Sequence, residues 1–128
     1  MNTIFDRKEF IDELTKTEKD LEDIFPGSIF SIKILGLEIG EEIFTLRGGT
    51  ENFNLTIEIL TYFDFKLDRQ YLLTDLYKIT FRCYFEKVKS KNDHISKWTV
   101  TITEDEIKEL NLRKQILSMI YNGCEWLL

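Results

Sequence analysis

The chain is expected to be α+β: one mostly antiparallel five-stranded sheet, with an N-terminal and a C-terminal helix packed on one of its faces, in the order α-β-β-β-β-β-α. Residues 1–128 are expected to form a single domain. Three observations carry this. Apolar residues recur at helical spacing near both ends. Runs of period two fill the middle. The strands are joined by short Gly-containing or polar segments with no helix between them, which points to antiparallel pairing.

The first helix is well punctuated. Asp6 followed three residues later by Glu9 has the spacing of a capping box, and Phe5 with Phe10 fits a hydrophobic staple. Phe10, Leu14, Thr17, Leu21 and Ile24 then make one stripe, with the intervening acids and lysines on the wet side. Pro26-Gly27 closes the helix, because proline has no N–H to donate and disfavours helical geometry at Phe25.

Phe30, Ile32 and Ile34 alternate with Ser31 and Lys33 in a half-buried strand bounded by Gly36, and Glu42 to Arg47 forms a shorter second strand. The cluster Arg47-Gly48-Gly49-Thr50-Glu51-Asn52 is expected to turn the chain into a hairpin. Beyond it, Phe53, Leu55, Ile57, Ile59, Phe63, Phe65 and Leu67 share one parity, broken only by Thr61, as one long strand or one bent by a bulge near Thr61. Asn54, Thr56, Glu58, Leu60, Tyr62, Asp64 and Lys66 occupy the wetter parity. Asp68 to Leu76 suggests a short helical turn. Tyr77, Ile79, Phe81, Cys83 and Phe85 then form a second buried parity against Lys78, Thr80, Arg82, Tyr84 and Glu86. A polar tip, 89–94, precedes the last strand, in which Trp98, Val100 and Ile102 face inward.

Thr103 and Glu106 form a second capping box, with Glu104 and Asp105 suited to the positive end of the helix dipole. From there the apolar residues fall on two sides: Ile107, Leu110, Leu117 and Tyr121 on one, Leu112, Ile116, Met119 and Ile120 on the other. A helix apolar on two sides is deeply buried or has a second partner, a homodimer being one form of it. Asn122-Gly123 ends it, before the apolar tail 124–128.

Composition narrows function by exclusion. At 43% hydrophobic and 13% aromatic the chain has too much apolar surface to be disordered. A net charge of −6 excludes a simple basic nucleic-acid binder. The first residues lack the apolar core of a signal peptide, and no apolar run is long enough to span a membrane. Cys83 and Cys124 are expected to be free thiols, and a cytoplasmic location is expected with them.

Catalytic motifs are scarce. His94 is the only histidine and sits in a polar loop, which suits a solvated turn. With two scattered cysteines a zinc site lacks its ligands. Gly48-Gly49 has neither phosphate-loop nor dinucleotide spacing, and no cofactor is expected. A carboxylate-based enzyme using Glu58, Asp64 and Asp68 is one alternative; cross-strand pairing of those acids with Lys78 and Arg82 explains the same residues with fewer assumptions.

Charge is unevenly placed. Residues 1–26 hold eight acids and four bases, and residues 27–68 hold seven and three. Residues 69–103 reverse this, with three acids and seven bases, and 104–128 return to five and three. An acidic first half attracts basic partners. The open sheet face would present Tyr62, Arg82 and Tyr84, residue types enriched at interface hot spots, beside Glu58 and Asp64. The leading expectation is therefore a non-enzymatic acidic protein that neutralises a more basic partner by occlusion. That partner would be a nuclease toxin or nucleic-acid-handling defence enzyme, making the chain an immunity-type or phage anti-defence inhibitor anchored by Glu58, Tyr62, Asp64, Arg82 and Tyr84. The alternative is a nucleic-acid-binding module built on the basic 77–97 stretch.

Overall fold

The computed structural model describes residues 7–38, 41–68, 71–87, 95–107 and 109–123; along 63–76 and at a few element ends it describes only the main chain. Helix α1 (Arg7–Ile24) leads into five strands, β1 (Ile29–Glu38), β2 (Glu41–Gly49), β3 (Phe53–Asp68), β4 (Tyr71–Lys87) and β5 (Ile95–Thr103). Two helices follow, α2 (Glu104–Ile107) and α3 (Leu112–Gly123). The strands pair antiparallel in the order β1-β2-β3-β4-β5, so every neighbour in sequence is a neighbour in space. This is the expected α+β architecture.

The parity that sorts the strands also builds the core. Phe44, Leu46, Leu55, Ile57, Ile59, Ile79, Phe81, Cys83 and Phe85 are buried on one sheet face. They form one cluster with Leu14 and Leu21 of α1, Ile107 of α2, and Leu112, Ile116, Met119 and Ile120 of α3. Ring contacts tie the layers together: Phe10 of α1 meets Phe44 at 4.7 Å between centroids, and Phe25 meets Phe53 at 5.0 Å. Thr61, the polar interruption on the buried parity, is fully enclosed and donates to the Glu42 carbonyl at 3.2 Å, so it brings no unpaired hydroxyl into the core. Thr17 solves the same problem within its helix by donating to the Glu13 carbonyl at 2.8 Å.

Helix α1 ends where proline and glycine demand. The Phe25 N–H still bonds the Leu21 carbonyl, and Gly27 at φ 85° takes the left-handed conformation that turns the chain into β1. The Asp6 cap and the Phe5 half of the staple lie outside the described residues, as do His94, Cys124 and the tail 124–128.

Four local expectations are corrected. Gly48 and Gly49 are the last residues of β2 and not part of the turn, which is 50–52 alone, held by Thr50 Oγ1 accepting from the Asn52 N–H at 3.1 Å. Gly48 lies beneath the Phe30 ring, where a Cβ would collide with that ring and with the Ile29 carbonyl. Strand β1 continues through Gly36 to Glu38. The stretch from Asp68 to Leu76 is strand on both sides of a two-residue connection. The irregularity expected near Thr61 is present, between Tyr62 and Phe63, with the extra residue, Tyr77, on β4. Finally, the C-terminal helix is two helices. Asn111 Oδ1 accepts the Lys114 N–H at 3.0 Å and caps a new helix, so the two apolar sides read from the sequence belong partly to α2 and partly to α3.

The far ends of β3 and β4 outrun the sheet. β2 pairs with β3 only as far as Tyr62, and β5 pairs with β4 only from Lys78. Residues 63–68 and 71–76 therefore pair with each other alone, as a two-stranded ribbon.

Two predictions arise from the helix layer. The C-terminal residue of α3, Gly123, lies against the Trp98 indole, and a Cβ there would strike the ring. Gly123→Ala is expected to cost about 1–3 kcal/mol, as overpacking does, and to lower the thermal midpoint accordingly. Between α1 and α3, Arg113 grips Asp20 with two N–H groups, Nη2 reaching Oδ1 at 2.6 Å. These hydrogen bonds hold the Asp20 carboxyl below its ordinary range. A carboxylate with a lowered folded pKa stabilises the protein above its unfolded value, about 3.9, and loses that contribution as the pH falls through its folded value. Glu18 works the other way, because burial and then Glu22 raise it, so acidification relieves its cost. Asp20→Asn is thus expected to flatten the fall in urea midpoint below about pH 4, and an unchanged acid limb would contradict the pairing.

A candidate docking face on the open side of the sheet

The face away from the helices is built by the other parity of every strand. Register places its residues in rows across the sheet. One row runs Lys33, Thr45, Glu58, Arg82, Thr99, and the next Ser31, Arg47, Thr56, Tyr84, Lys97. On the far side of the first row come Leu35, Ile43, Leu60, Thr80 and Thr101. Four of the five residues expected to bind a partner, Glu58, Tyr62, Arg82 and Tyr84, share this face. The fifth, Asp64, lies past the bulge on the ribbon, with its main chain alone described.

Glu58 and Arg82 stand directly opposite each other on β3 and β4. The Tyr84 phenol stands one row along beside both, and desolvation together with the Glu58 carboxylate pushes it above its ordinary pKa. The Lys78 ammonium sits 4.2 Å from the Tyr62 ring centroid, and Lys97 takes a looser position over Tyr84 at 5.7 Å. Tyr62 and Tyr84 are half-buried by these neighbours although nothing in the described chain covers them from above.

Sequence parity placed Tyr77 in the core. The bulge instead brings its ring 6.4 Å from Tyr62, adding a third aromatic to that end of the face. No period-two pattern signals this, because one inserted residue reverses the parity on either side of it. Leu60 departs from expectation as well: it is buried on the open face, between Ile43 and Thr80 on the neighbouring strands. Thr80 and Thr101 close the same row with their hydroxyls 3.3 Å apart.

The carboxylate group does not assemble. Glu58 and Asp64 are six residues apart on a continuous strand, about 20 Å, and Asp64 and Asp68 are separated by about 13 Å. Register sets Asp64 opposite Asp75 and not opposite Lys78, while Glu58 does meet Arg82. Among the described residues no three His, Cys, Asp or Glu side chains gather as a metal site. A cleft of about 270 Å³ beside α2 and α3, lined by Glu106, Asn111, Lys114 and Ser118, holds no histidine or cysteine. Cys83 is buried in the core.

The face is more basic than the chain. Its described charges are Lys33, Arg47, Lys78, Arg82 and Lys97 against Glu41, Glu58 and Glu86. The acidic surplus of the first 26 residues lies instead on α1, in the opposite layer. No described helix is long and apolar enough to cross a membrane. Comparison with protein-family models, with curated proteins and with solved structures finds no match for this chain.

Proposed function

We propose that the protein is a non-enzymatic binding module that occludes a protein partner with the open face of its sheet, in the manner of an immunity-type or anti-defence inhibitor. The observation that carries this reading is the grouping of Glu58, Arg82 and Tyr84 in adjacent rows of an uncovered sheet face. Tyr and Arg join apolar bulk to a polar handle, which is what makes them efficient anchors. Tyr62 and Tyr77 extend the anchor along the strand. Five bases against three acids favour an acidic or mixed patch on the partner where it meets the sheet. A strongly basic partner is better received by α1. Co-purification from the native host, after nuclease digestion, tests the reading: a protein of distinct mass should elute with the chain. Recovery of nothing but nucleic acid or small molecules would overturn it.

The basic surplus of the face favours a second reading, single-stranded nucleic acid lying across Arg47, Arg82 and Lys97. Against it, lysines sit over the two tyrosine rings on which bases would stack. Phosphate contacts strengthen at low salt, so this reading requires a labelled oligonucleotide to bind at about 50 mM salt and to be released as salt rises.

A further inference from the structure

We propose that β1 is a self-pairing edge, and that two copies of the chain join antiparallel through it, with Ile32 of each copy opposite Ile32 of the other. The inference is independent of the docking reading above.

The backbone supplies the first part of the argument. β1 is a terminal strand of the sheet, paired with β2 on one side only. In an antiparallel strand, successive residues direct their N–H and C=O groups alternately toward and away from the neighbour. The Phe30 N–H points away from β2, since Glu22 Oε1 accepts it at 3.2 Å. Unbroken register from Ile29 to Gly36 then directs the main-chain groups of Ile32 and Ile34 outward as well. An edge with outward main-chain groups is a template for another strand.

The side chains choose the strand and the register. Exposed large hydrophobics among the described residues are Ile29 at 79%, Leu35 at 53% and Tyr121, so two of the three stand on this one edge. A ladder centred on Ile32 sets Ile29 of each copy against Leu35 of the other. Those become the closely spaced, non-hydrogen-bonded pairs, in which side chains approach most nearly. On the opposite face the half-buried Ile32 meets its own copy and Ile34 meets Phe30, continuing the core across the junction. Lys33 stands opposite Ser31. Sliding one strand by a single residue would face inward-bonded groups against outward ones. Centring on Lys33 would set that residue against itself, and like charges in direct opposition destabilise a ladder. Centring on Ser31 would set Lys33 against Ile29 and leave Leu35 beyond the end of the partner strand. The arrangement is isologous, as a two-fold dimer requires.

Glu22 is the built-in competitor. It occupies the Phe30 N–H, and the ladder must either displace it or leave that one donor in its keeping, while the Ile32 and Ile34 groups bond in both cases. Joined this way, the two sheets are continuous and both open faces lie on one side.

Sedimentation velocity over a concentration series, with folding checked by circular dichroism, tests the ladder. The wild type is expected to shift toward twice its 15.3 kDa mass as concentration rises into the hundreds of micromolar. Ile29→Lys with Leu35→Lys places lysine against lysine in both symmetric pairs, and should weaken the dimer about ten- to thirtyfold. Ile29→Glu with Leu35→Lys places opposite charges there and should restore it. Glu22→Ala frees the Phe30 donor and should tighten it. A wild type that stays monomeric throughout, a double-lysine variant that dimerises like the wild type, or a Glu/Lys variant no better than the double lysine would each overturn the proposal.

Discussion

Phe81→Ala is expected to lower the unfolding free energy by about 3–5 kcal/mol, as large-to-small changes at enclosed aromatics do. Phe81 sits on β4, flanked by Ile59 on β3 and Val100 on β5, and its ring has no exposed surface. Packed under the helix layer, the site has little freedom to collapse around the space left. A domain of this size has about 5–15 kcal/mol in total, so the loss is a large share of it. Urea denaturation should show the midpoint fall with an unchanged slope. Leu35→Ala, at the exposed edge, is the control and should move stability by about 0.5 kcal/mol or less. A Phe81 variant as mild as that control would mean that the sheet and helix layers are not packed as described.

Arg82→Ala together with Tyr84→Ala is expected to weaken partner binding by about thirtyfold or more, roughly 2 kcal/mol, with little effect on stability. Both side chains lie on the open face, so their removal leaves no hole in the core. The two side chains stand in adjacent rows beside Glu58, so the single variants should not add up to the double. Isothermal titration against the co-purified partner measures this, and Thr45→Ala, farther along the same row, serves as the control. If all three variants bind like the wild type, the contact lies elsewhere on the molecule.

The general architecture was legible because the buried parity is long and consistent. From Phe53 to Ile59 and from Ile79 to Phe85, every second residue is apolar, and each of these is buried in the fold. The same parity placed Glu58, Tyr62, Arg82 and Tyr84 on a common face. What alternation does not carry is anything that changes the count. A single extra residue at Tyr77 reverses the side it faces, and the extended ribbon beyond it hid behind a stretch whose leucines fit a helical turn equally well. At the C-terminus, two apolar stripes suggested one helix with two partners. The decisive residue was Asn111, whose side chain caps a second helix, and caps in mid-pattern are easily taken for surface residues. Charge is sorted by the same alternation. Summed along the chain it is acidic, but a sheet places alternate residues on opposite faces, and the lysines and arginines of the middle strands fall together on the open one.

The open sheet face is the proposed meeting place with the partner. Site-specific photo-crosslinking in the native host tests it most directly, with the reactive residue placed at Thr56 or Thr99 on that face, or at Lys16 on the exposed side of α1. One and the same protein adduct is expected from both sheet positions, and none from Lys16. An adduct formed from Lys16 alone would contradict it, and would assign the contact to the acidic helix.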